Sequence, residues 1–275
     1  MLTMIQRQAL NRDGVSLTYA VSQARPDRPW LALLIPFGLT TDVAQPFFDF
    51  FGAHYNIVTL ESRCILEDSN RVHSSEDLCV ANHASDLRAV LDACQIGKST
   101  LIGYCSGAGV ALDAANRYSD RFDKLVLVHG DYAILHDREC TTSFSLEIDS
   151  LLSLATRDEQ HATLVFEKIR DQRLEGIKVR PSGLDHPYLD LTRFRRYATN
   201  YLAYKSCNFE SLARSITHRS LLMTGERDAQ ANVASSRRIH QALGNSTIHI
   251  DPTADHYGLL REESATLVTI WNSLL

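Results

Sequence analysis

Residues 99–118 read STLIGYCSGAGVALDAANRY, and this stretch decides the fold. The apolar run at 99–102 is typical of a buried strand, and the residues after Gly107 have the pattern of a helix. A sharp turn between the two needs residues without bulk on either side of its apex, and Gly103 and Gly107 supply them. The pattern therefore predicts a strand, a tight turn and a helix, with Cys105 at the apex and its thiol directed into a cleft.

The placement of Cys105 makes its thiol a candidate nucleophile. The backbone N–H of Ser106, at the start of the helix, is placed to face a developing oxyanion. A second interpretation is a buried cysteine beside two glycines that serve the turn alone, and the turn does not decide between the two. A base and an acid at suitable positions later in the chain would favour the nucleophile.

The composition favours small-molecule chemistry in one large domain. The chain has 275 residues, of which 44% are hydrophobic and 22% are charged, so it can bury a large α/β core. Its formal charge of -5 and its isoelectric point near 6.1 argue against a nucleic-acid partner, since such proteins carry a basic surplus. No apolar run approaches the roughly 20 residues that span a bilayer. Residues 1–14 lack the apolar core of a signal peptide, so we expect a cytoplasmic protein without a membrane partner.

The cysteines argue against both a metal site and a disulfide framework. The chain has 6 of them, and they form no C-x-x-C pair and are too sparse for a disulfide scaffold. We therefore expect no metal and no cofactor. The other cysteines are predicted to be small hydrophobic residues, and Cys105 is the exception.

Short apolar runs recur along the chain and predict a mostly parallel sheet. Such runs fit strands covered on both faces, and helical patterns lie between them, so their order indicates a doubly wound α/β fold. The predicted strands are 30–35, 57–60, 99–102, 125–128, 220–223 and 247–250. The predicted helices are 43–51, 83–94, 110–118 and 233–243. Before them, the turn signal at 11–14 predicts an antiparallel hairpin over 4–10 and 15–23.

The alternation of strands and helices stops in the middle of the chain. This segment is too long for a loop in a compact domain, and it contains further helical patterns. These patterns lie at 144–156, 161–169 and 191–204. We therefore predict a helical cap insertion at 134–212, placed over the sheet, and a core formed by residues 1–133 and 213–275.

Candidate partners for Cys105 follow strands late in the chain. Asp228 ends the turn after the predicted strand at 220–223, and His256 follows the strand at 247–250. Open α/β sheets place their sites at the carboxyl edge, so these side chains are expected to converge there. A thiolate that attacks an acyl carbon needs a base for its proton, and the base needs an anion to fix its tautomer. The pattern favours His256 as this base over a histidine that only caps the last helix.

At this point the chain resembles the α/β-hydrolase superfamily over nearly its whole length. The shared features are the opening hairpin, the cysteine turn, the cap insert, the G-x-x-D pattern that ends at Asp228, and the late His256. The order nucleophile, acid, histidine is also that of the superfamily. The resemblance implies an α/β-hydrolase fold and a catalytic triad of Cys105, Asp228 and His256. The cysteine turn also looks like that of dienelactone hydrolases and some bacterial thioesterases.

The resemblance implies further site residues around the nucleophile. The Ser106 N–H is implied as one oxyanion donor, and a backbone N–H of Phe37 or Gly38 as the second. Many relatives carry His-Gly where this chain has Pro-Phe-Gly at 36–38, so the second donor is placed by analogy. Tyr104 and Gly38 are expected to contact the substrate.

The roles of Asp131 and His129, which follow the predicted strand at 125–128, remain open between two alternatives each. The placement of Asp131 resembles that of the acid in thioesterase domains of peptide and polyketide synthases, which often follows this strand. Asp131 is therefore a rival acid unless it only caps a helix. We favour Asp228 because its G-x-x-D pattern is the commoner one. His129 either lines the pocket or is a satisfied core histidine, and the second is our interpretation.

The predicted helix at 191–204 has one aromatic face with charge around it. Its aromatic residues recur at spacings of three and four: Phe194, Tyr197, Tyr201 and Tyr204. The charged residues around this face are Arg193, Arg195, Arg196 and Lys205. Either this helix packs on its neighbours with a solvated basic side, or the aromatic residues wall an acyl pocket and the arginines meet a phosphopantetheine or carboxylate group.

These residues favour acyl transfer through a thioester on Cys105. A thiol ionises far more readily than an alcohol, and acyl exchange with a coenzyme A or carrier-protein thioester is nearly thermoneutral. The leading hypothesis is a thioesterase, cyclase or acyltransferase that acts on a small-molecule thioester or activated ester. Alternatives are hydrolysis of a small carboxylic ester or lactone, a binding protein without turnover, and a redox-sensing thiol. The sequence is compatible with a homo-oligomer.

Overall fold

An 8-stranded sheet forms the centre of the protein. The computed structural model describes residues 3–71, 73–132, 134, 137–176 and 183–275, with the backbone alone for 171–176. Residues 1–2, 72, 133, 135–136 and 177–182 of the proposed core and cap lie outside the described residues. The strands are β1 (Ile5–Leu10), β2 (Ser16–Val21), β3 (Trp30–Leu34), β4 (Asn56–Leu60), β5 (Ser99–Tyr104), β6 (Phe122–Val128), β7 (Arg219–Gly225) and β8 (Ser246–Asp251).

The sheet topology confirms the predicted α/β-hydrolase fold. The strand order is β1-β2-β4-β3-β5-β6-β7-β8. β1 pairs with β2, and β2 with β4, in antiparallel fashion, whereas the later pairs are parallel. β3 has β4 on one side and β5 on the other, so the strand order reverses there. In open α/β sheets, ligands bind beside the carboxyl ends of the strands at such a point.

Helices cover both faces of the sheet. They are α1 (Gln45–Phe51), α2 (Val80–Ala93), α3 (Ser106–Arg117), α4 (Ser143–Ala155), α5 (Glu159–Gly176), α6 (Leu191–Lys205), α7 (Phe209–Arg214), α8 (Val233–Ala242) and α9 (Ala265–Leu274). Side chains accept the first free N–H groups of several of them, as Asp190 does for α6 and Ser264 for α9. Across the described ranges, none of these helices is long and apolar enough to cross a membrane.

Two apolar layers pack on opposite faces of the sheet. In β5, Leu101 belongs to the layer that contains α2 and α3, whereas its neighbour Ile102 belongs to the layer that contains α1 and α9. Alternate residues of a strand point to opposite faces, so a strand buried on both sides reads as a continuous apolar run. This packing explains why the apolar runs predict the strands.

The helices between β6 and β7 have a core of their own. α4, α5 and α6 share an apolar cluster that includes Leu152, Val165 and Phe194. α7 follows them but packs on α3 and α8, and its Phe209 lies in the main core. The proposed boundary at residue 212 therefore falls within α7.

Candidate active site

Cys105 lies at the apex of the turn between β5 and α3. Its backbone has φ 54° and ψ -122°, a conformation that residues other than glycine rarely adopt. A Cβ on Gly103 would lie 2.6 Å from Ala108 Cα, and a Cβ on Gly107 would lie 2.3 Å from the Leu34 carbonyl oxygen. Both positions need glycine because strand and helix approach so closely. The predicted turn is therefore present, with Cys105 half-buried beside a cavity.

The loops after β7 and β8 bring an acid and a base together. A Cβ on Gly225 would lie 2.1 Å from the Ala254 carbonyl oxygen, so the two loops can pass each other only because this residue is glycine. The Arg227 N–H donates to the same carbonyl at 3.2 Å. As a result, His256 Nδ1 lies 2.9 Å from Asp228 Oδ2, and both residues are buried.

His256 lies beside Cys105, since both residues line the same cavity. Burial alone would lower the pKa of His256, but the electrostatic interaction with Cys105 and the hydrogen bond to Asp228 hold that pKa well above its ordinary value. These surroundings favour the imidazolium form of the His256 ring.

Asp228 is buried but well provided with hydrogen-bond donors. Oδ2 accepts from His256 and from His129 Nδ1, the latter at 2.8 Å. Oδ1 accepts from the backbone N–H groups of Gln230 and Ala231, at 2.8 and 2.9 Å. Burial alone would raise the pKa of Asp228, but the bonds from His129 and His256 outweigh burial and hold that pKa well below its usual range. The acid is therefore a carboxylate at neutral pH.

The acceptor character of Asp228 determines the tautomers of both histidines. An ionised carboxylate only accepts hydrogen bonds, so His129 and His256 each donate from Nδ1–H. The remaining ring nitrogen of His256, Nε2, is then left for a second partner. This is the orientation that a general base needs.

His129 is a buried histidine with hydrogen-bond partners, as interpreted from the sequence, and one of these partners is Asp228. It is 2% exposed and follows β6 directly, with φ 47° and an N–H that donates to the Met223 carbonyl at 2.7 Å. Its place at the carboxyl end of a central strand is the signal in the sequence. The partner, Asp228, lies 99 residues further along the chain, and nothing in the local pattern joins the two.

The expected oxyanion donors lie beside the cavity, but one of them has a partner. Ser106 is the first residue of α3, so its N–H has no carbonyl to bond within the helix. The Phe37 N–H donates to the Ser106 hydroxyl oxygen at 3.1 Å. An oxyanion on the acyl carbon would meet the Ser106 N–H directly and the Phe37 N–H only after the hydroxyl turns away.

Tyr104 and Gly38, the residues expected to contact the substrate, contact other parts of the protein instead. Tyr104 lines the cavity, but it is 1% exposed and its hydroxyl donates to the His256 carbonyl at 2.8 Å. Gly38 donates its N–H to the Ser62 hydroxyl at 2.8 Å, and a Cβ on Gly38 would lie 2.5 Å from Pro187 Cγ. Gly38 is not among the described residues that line the cavity. Tyr104 thus supports His256, and Gly38 lacks space for a substrate because Pro187 occupies it.

The rival acid, Asp131, has a lysine as its partner. Its Oδ1 lies 3.3 Å from Lys205 Nζ. Its backbone N–H donates to the Cys105 carbonyl at 3.3 Å. Within the part of the chain that the structure describes, no histidine contacts this carboxylate. The structure therefore brings Asp228, and not Asp131, to His256.

A cavity of about 300 Å³ adjoins Cys105, at the small end of the range for ligand pockets. Residues that follow β3 and β5 line one side of it, and residues of α4 and α6 line another. The apolar residues of this lining include Phe37, Leu39, Phe144, Ile148, Leu151, Tyr197 and Tyr201. The cavity is thus an apolar space that reaches the thiol.

The aromatic and charged residues of α6 divide between several contacts. Tyr197 and Tyr201 line the cavity, whereas Phe194 packs among the helices of the insert. Tyr204 stacks on Phe209 with ring centroids 4.6 Å apart. The charged side chains pair within the chain: Arg193 with Asp190, Arg195 with Glu159, Arg196 with Glu67, and Lys205 with Asp131 and Asp149. These pairings favour the first alternative, in which the helix packs on its neighbours, because each of these arginines already has a carboxylate partner within the chain.

Two clusters contain residue types that can ligate a metal ion, and hydrogen bonds join some of the members within each cluster. They are His129, Asp228 and His256, and Cys64, Glu67 and His73. Glu67 Oε1 lies 2.7 Å from His73 Nε2, and Asp228 Oδ2 lies 2.8 and 2.9 Å from its two histidines. These distances are those of hydrogen bonds between the paired atoms.

The 6 cysteines are free thiols in different surroundings. Burial raises the pKa of Cys64, Cys140 and Cys207 to about 11, and burial also raises the pKa of Cys94. These thiols are therefore poor nucleophiles at neutral pH. Cys105 differs from them in its place beside His256 in the cavity lining.

The sheet order and the helices on both of its faces are those of an α/β hydrolase. A family model described as alpha/beta hydrolase fold matches residues 37–175, and the chain belongs to this family. Family membership confirms the resemblance drawn from the sequence.

Particular relatives are similar to this chain in structure or in sequence. An esterase from Exiguobacterium antarcticum has a TM-score of 0.73 at 15% identity, covering 98% of this chain and 99% of its own. An enol-lactonase from Burkholderia xenovorans has a TM-score of 0.71 at 16% identity, covering 98% and 99%. Such identities show the fold alone. A curated relative, an L-allo-isoleucyltransferase from Pseudomonas savastanoi pv. glycinea, is 26% identical over 234 residues, which cover 84% of this chain and 81% of the relative.

Proposed function

We propose that this protein is an acyltransferase that carries its acyl group on Cys105. The observation that carries the proposal is Cys105 at a strained turn, with His256 in the same cavity lining and Asp228 hydrogen-bonded to the histidine. A cavity of about 300 Å³ adjoins this thiol. Covalent acyl transfer requires these parts: a nucleophile, a base, an anion that orients the base, and space for the acyl group.

In the first half of the reaction, the Cys105 thiolate attacks the carbonyl carbon of a donor thioester. A new carbon–sulfur bond forms, and the carbonyl electron pair moves to oxygen, where the Ser106 N–H receives it. The tetrahedral intermediate then collapses and the bond to the donor sulfur breaks. The donor thiol leaves with the proton of His256 Nε2, and the acyl group remains on Cys105.

In the second half, an acceptor thiol loses its proton to His256 Nε2 and attacks the acyl group. The bond to Cys105 breaks, and Cys105 leaves as a thiolate that the His256 imidazolium stabilises. Both halves exchange one thioester for another, so neither needs a large driving force. Carrier-protein or coenzyme A thiols have the chemistry of such a donor and acceptor.

An aminoacyl group is the acyl group that we propose. The curated relative is named an L-allo-isoleucyltransferase. The aliphatic part of the cavity lining, with Leu39, Ile148 and Leu151, suits a branched aliphatic side chain. The identity of 26% and the character of the cavity support the same class of substrate.

The test is to trap the acyl group on the protein. The protein is incubated with the N-acetylcysteamine thioester of isoleucine, and intact-mass spectrometry follows the adduct. We expect an aminoacyl adduct on Cys105 that passes to added pantetheine faster than to water. Cys105→Ala removes the adduct. Cys105→Ser forms an oxyester that is lower in free energy than a thioester, so this variant acylates but does not pass the group to a thiol.

Cys79→Ser is the matched control because Cys79 is also half-buried and lies outside the cavity lining. This variant is expected to behave as the wild type. Transfer that survives in Cys105→Ala contradicts the proposal. An adduct that water removes faster than pantetheine does indicates an ester or thioester hydrolase instead. A wild-type protein that forms no adduct with any donor indicates a binding protein of the same fold.

A further inference from the structure

The charge around the proposed acyl site is biased towards the negative. Among the described side chains that line the cavity, the carboxylates are Asp131 and Glu147, and there is no lysine or arginine. The charge of a protonated His256 is balanced by Asp228, whose Oδ2 lies 2.9 Å from its Nδ1. An anionic acyl group would meet uncompensated repulsion in this cavity, whereas a cationic group would find partners.

Asp131 lies directly beside the nucleophile. Its N–H donates to the Cys105 carbonyl at 3.3 Å, and the Tyr204 hydroxyl donates to the Asp131 carbonyl at 2.7 Å. Both contacts hold the backbone of Asp131 against the turn. Asp131 lines the same cavity as Cys105, and it also lines a second cavity together with Lys205 and Asp149. Its side chain is 18% exposed, so Asp131 lies where the two cavities come together beside the nucleophile.

Lys205 compensates Asp131 only in part. Lys205 Nζ lies 3.3 Å from Asp131 Oδ1 and 3.6 Å from Asp149 Oδ1, so one ammonium group serves two carboxylates. Burial alone would lower the pKa of Lys205, but Asp131 and Asp149 outweigh burial and raise it, so the lysine stays charged. No described residue donates a hydrogen bond to Asp131 Oδ2. The cluster keeps a net negative charge and a carboxylate oxygen that can accept one more donor.

We propose that Asp131 binds the α-ammonium group of an aminoacyl thioester and thereby selects aminoacyl over simple acyl donors. The inference rests on the proposed function and names its substrate class. The ammonium group neutralises the cluster of Asp131, Lys205 and Asp149, and a charge-assisted hydrogen bond to Oδ2 orients the α-carbon. The apolar lining receives the amino-acid side chain. The carboxylate also keeps the amino group protonated, so that it does not attack its own or another thioester.

The experiment compares two donors that differ only in the α-amino group. They are the N-acetylcysteamine thioesters of isoleucine and of 3-methylpentanoic acid. Intact-mass spectrometry gives the initial rate of Cys105 acylation by each donor, in the wild type and in Asp131→Asn, Asp131→Glu and Glu147→Gln. We expect the wild type to prefer the aminoacyl donor by about tenfold or more, the range of one charge-assisted hydrogen bond.

Asp131→Asn is expected to lose this preference, and Asp131→Glu to retain most of it. Glu147→Gln tests whether the overall charge of the lining, rather than Asp131, selects the aminoacyl donor. We expect this variant to keep the wild-type preference for the aminoacyl donor. The preference is a ratio within one variant, so a fraction of misfolded protein cancels. An unchanged preference in Asp131→Asn, or an equal loss with both donors, overturns the inference and leaves the proposed function standing. A wild type that forms an adduct with neither donor overturns the proposed function itself.

Discussion

Asp228 Oδ2 accepts hydrogen bonds from both His129 and His256, and only His256 reaches Cys105. His129 is therefore a positioning residue: it holds the carboxylate oxygen at the place where His256 needs it. The backbone N–H groups on Oδ1 hold the other end of the carboxylate. Because Asp228 is buried, these contacts replace the water that would otherwise solvate its charge.

Asp228→Asn should lower the rate of Cys105 acylation by on the order of 10²-fold or more. An asparagine removes the negative charge that favours the His256 imidazolium, so the pKa of His256 should fall towards its ordinary value. Stopped-flow acylation measures the rate, and the NMR titration of the His256 ring measures the pKa.

Asp255→Asn is the matched control, because Asp255 directly precedes His256 in the loop after β8 but pairs with Arg261 on the surface. Its rate should stay close to that of the wild type. An Asp228→Asn protein that acylates Cys105 at the wild-type rate would show that His256 works without this acid.

At the scale of the element, α6 joins the insert to the core through buried polar contacts. The Arg196 guanidinium is 2% exposed and donates to the carbonyl oxygens of Glu67 and Arg71 at 2.8 and 2.9 Å. On the next turn of the helix, Asn200 Oδ1 lies 2.6 Å from His83 Nε2 of α2. Both contacts hold α6 against the core, and α6 in turn contributes Tyr197 and Tyr201 to the cavity lining.

Arg196→Met should lower the free energy of unfolding by about 2–4 kcal/mol, because buried carbonyl partners lose their donors. Urea denaturation measures the loss. Arg195→Met is the matched control: Arg195 pairs with Glu159 on the surface, and exposed ion pairs contribute about 1 kcal/mol or less. Equal losses in the two variants would show that the buried contacts of Arg196 do not stabilise the fold.

His83 should make the protein sensitive to acid. Burial lowers the pKa of His83 to about 4, against the effect of its bond to Asn200. An unfolded histidine titrates near 6.5, so the unfolded state binds more protons between these pH values and stability falls as the pH drops from about 6.5 to about 4. The loss should be on the order of 3 kcal/mol.

His83→Gln can still bond to Asn200 but does not titrate. Urea unfolding of both proteins from pH 7 to pH 4 isolates the effect of His83, because the other acid-sensitive groups are common to both. The wild type should lose more stability than the variant over this range. Parallel pH profiles would contradict the assignment of this sensitivity to His83.

At the scale of the whole molecule, the sheet could be predicted because its strands are buried on both faces. A continuous apolar run such as Leu31 to Leu34 is stable where both faces of its strand are covered. Glycine at 103 and 107 marks the turn between strand and helix. The approach of Cys105, Asp228 and His256 follows from the same rule, since each residue comes just after a strand whose carboxyl end lies at one edge.

Contacts between distant segments could not be predicted in this way. The pairing of His129 with Asp228 and the contact of Arg196 with residues 67–71 join parts of the chain that local patterns do not relate. The partner of Phe37 is another example, because its N–H meets the Ser106 hydroxyl only once β3 and β5 are adjacent. These contacts depend on how helices pack on the finished sheet.

Gly38→Ala should disturb both the core and the insert. Gly38 has φ 73°, and a new Cβ would lie 2.5 Å from Pro187 Cγ and 3.4 Å from Tyr197. Backbone strain and the displaced proline should cost about 1–3 kcal/mol of unfolding free energy, and Cys105 acylation should slow because Phe37 and Tyr197 both line the cavity. Thermal unfolding and the acylation rate measure the two effects.

Gly97→Ala is the matched control, since a Cβ on Gly97 would meet nothing within 4 Å. Its stability should stay within about 1 kcal/mol of the wild type, because the substitution mainly restricts the unfolded chain. A Gly38→Ala protein as stable and as active as Gly97→Ala would show that Pro187 can move away from the new Cβ without a loss of stability.

The contrast among the cysteines offers a way to capture a carrier protein on this chain. Burial keeps Cys64, Cys94, Cys140 and Cys207 protonated at neutral pH, and Cys79→Ser removes a further half-buried thiol. A pantetheine arm that ends in a chloroacetamide would then alkylate Cys105 and fasten its carrier at the mouth of the cavity. The resulting cross-linked pair would be a homogeneous sample for crystallography, with the carrier held where the proposed transfer takes place.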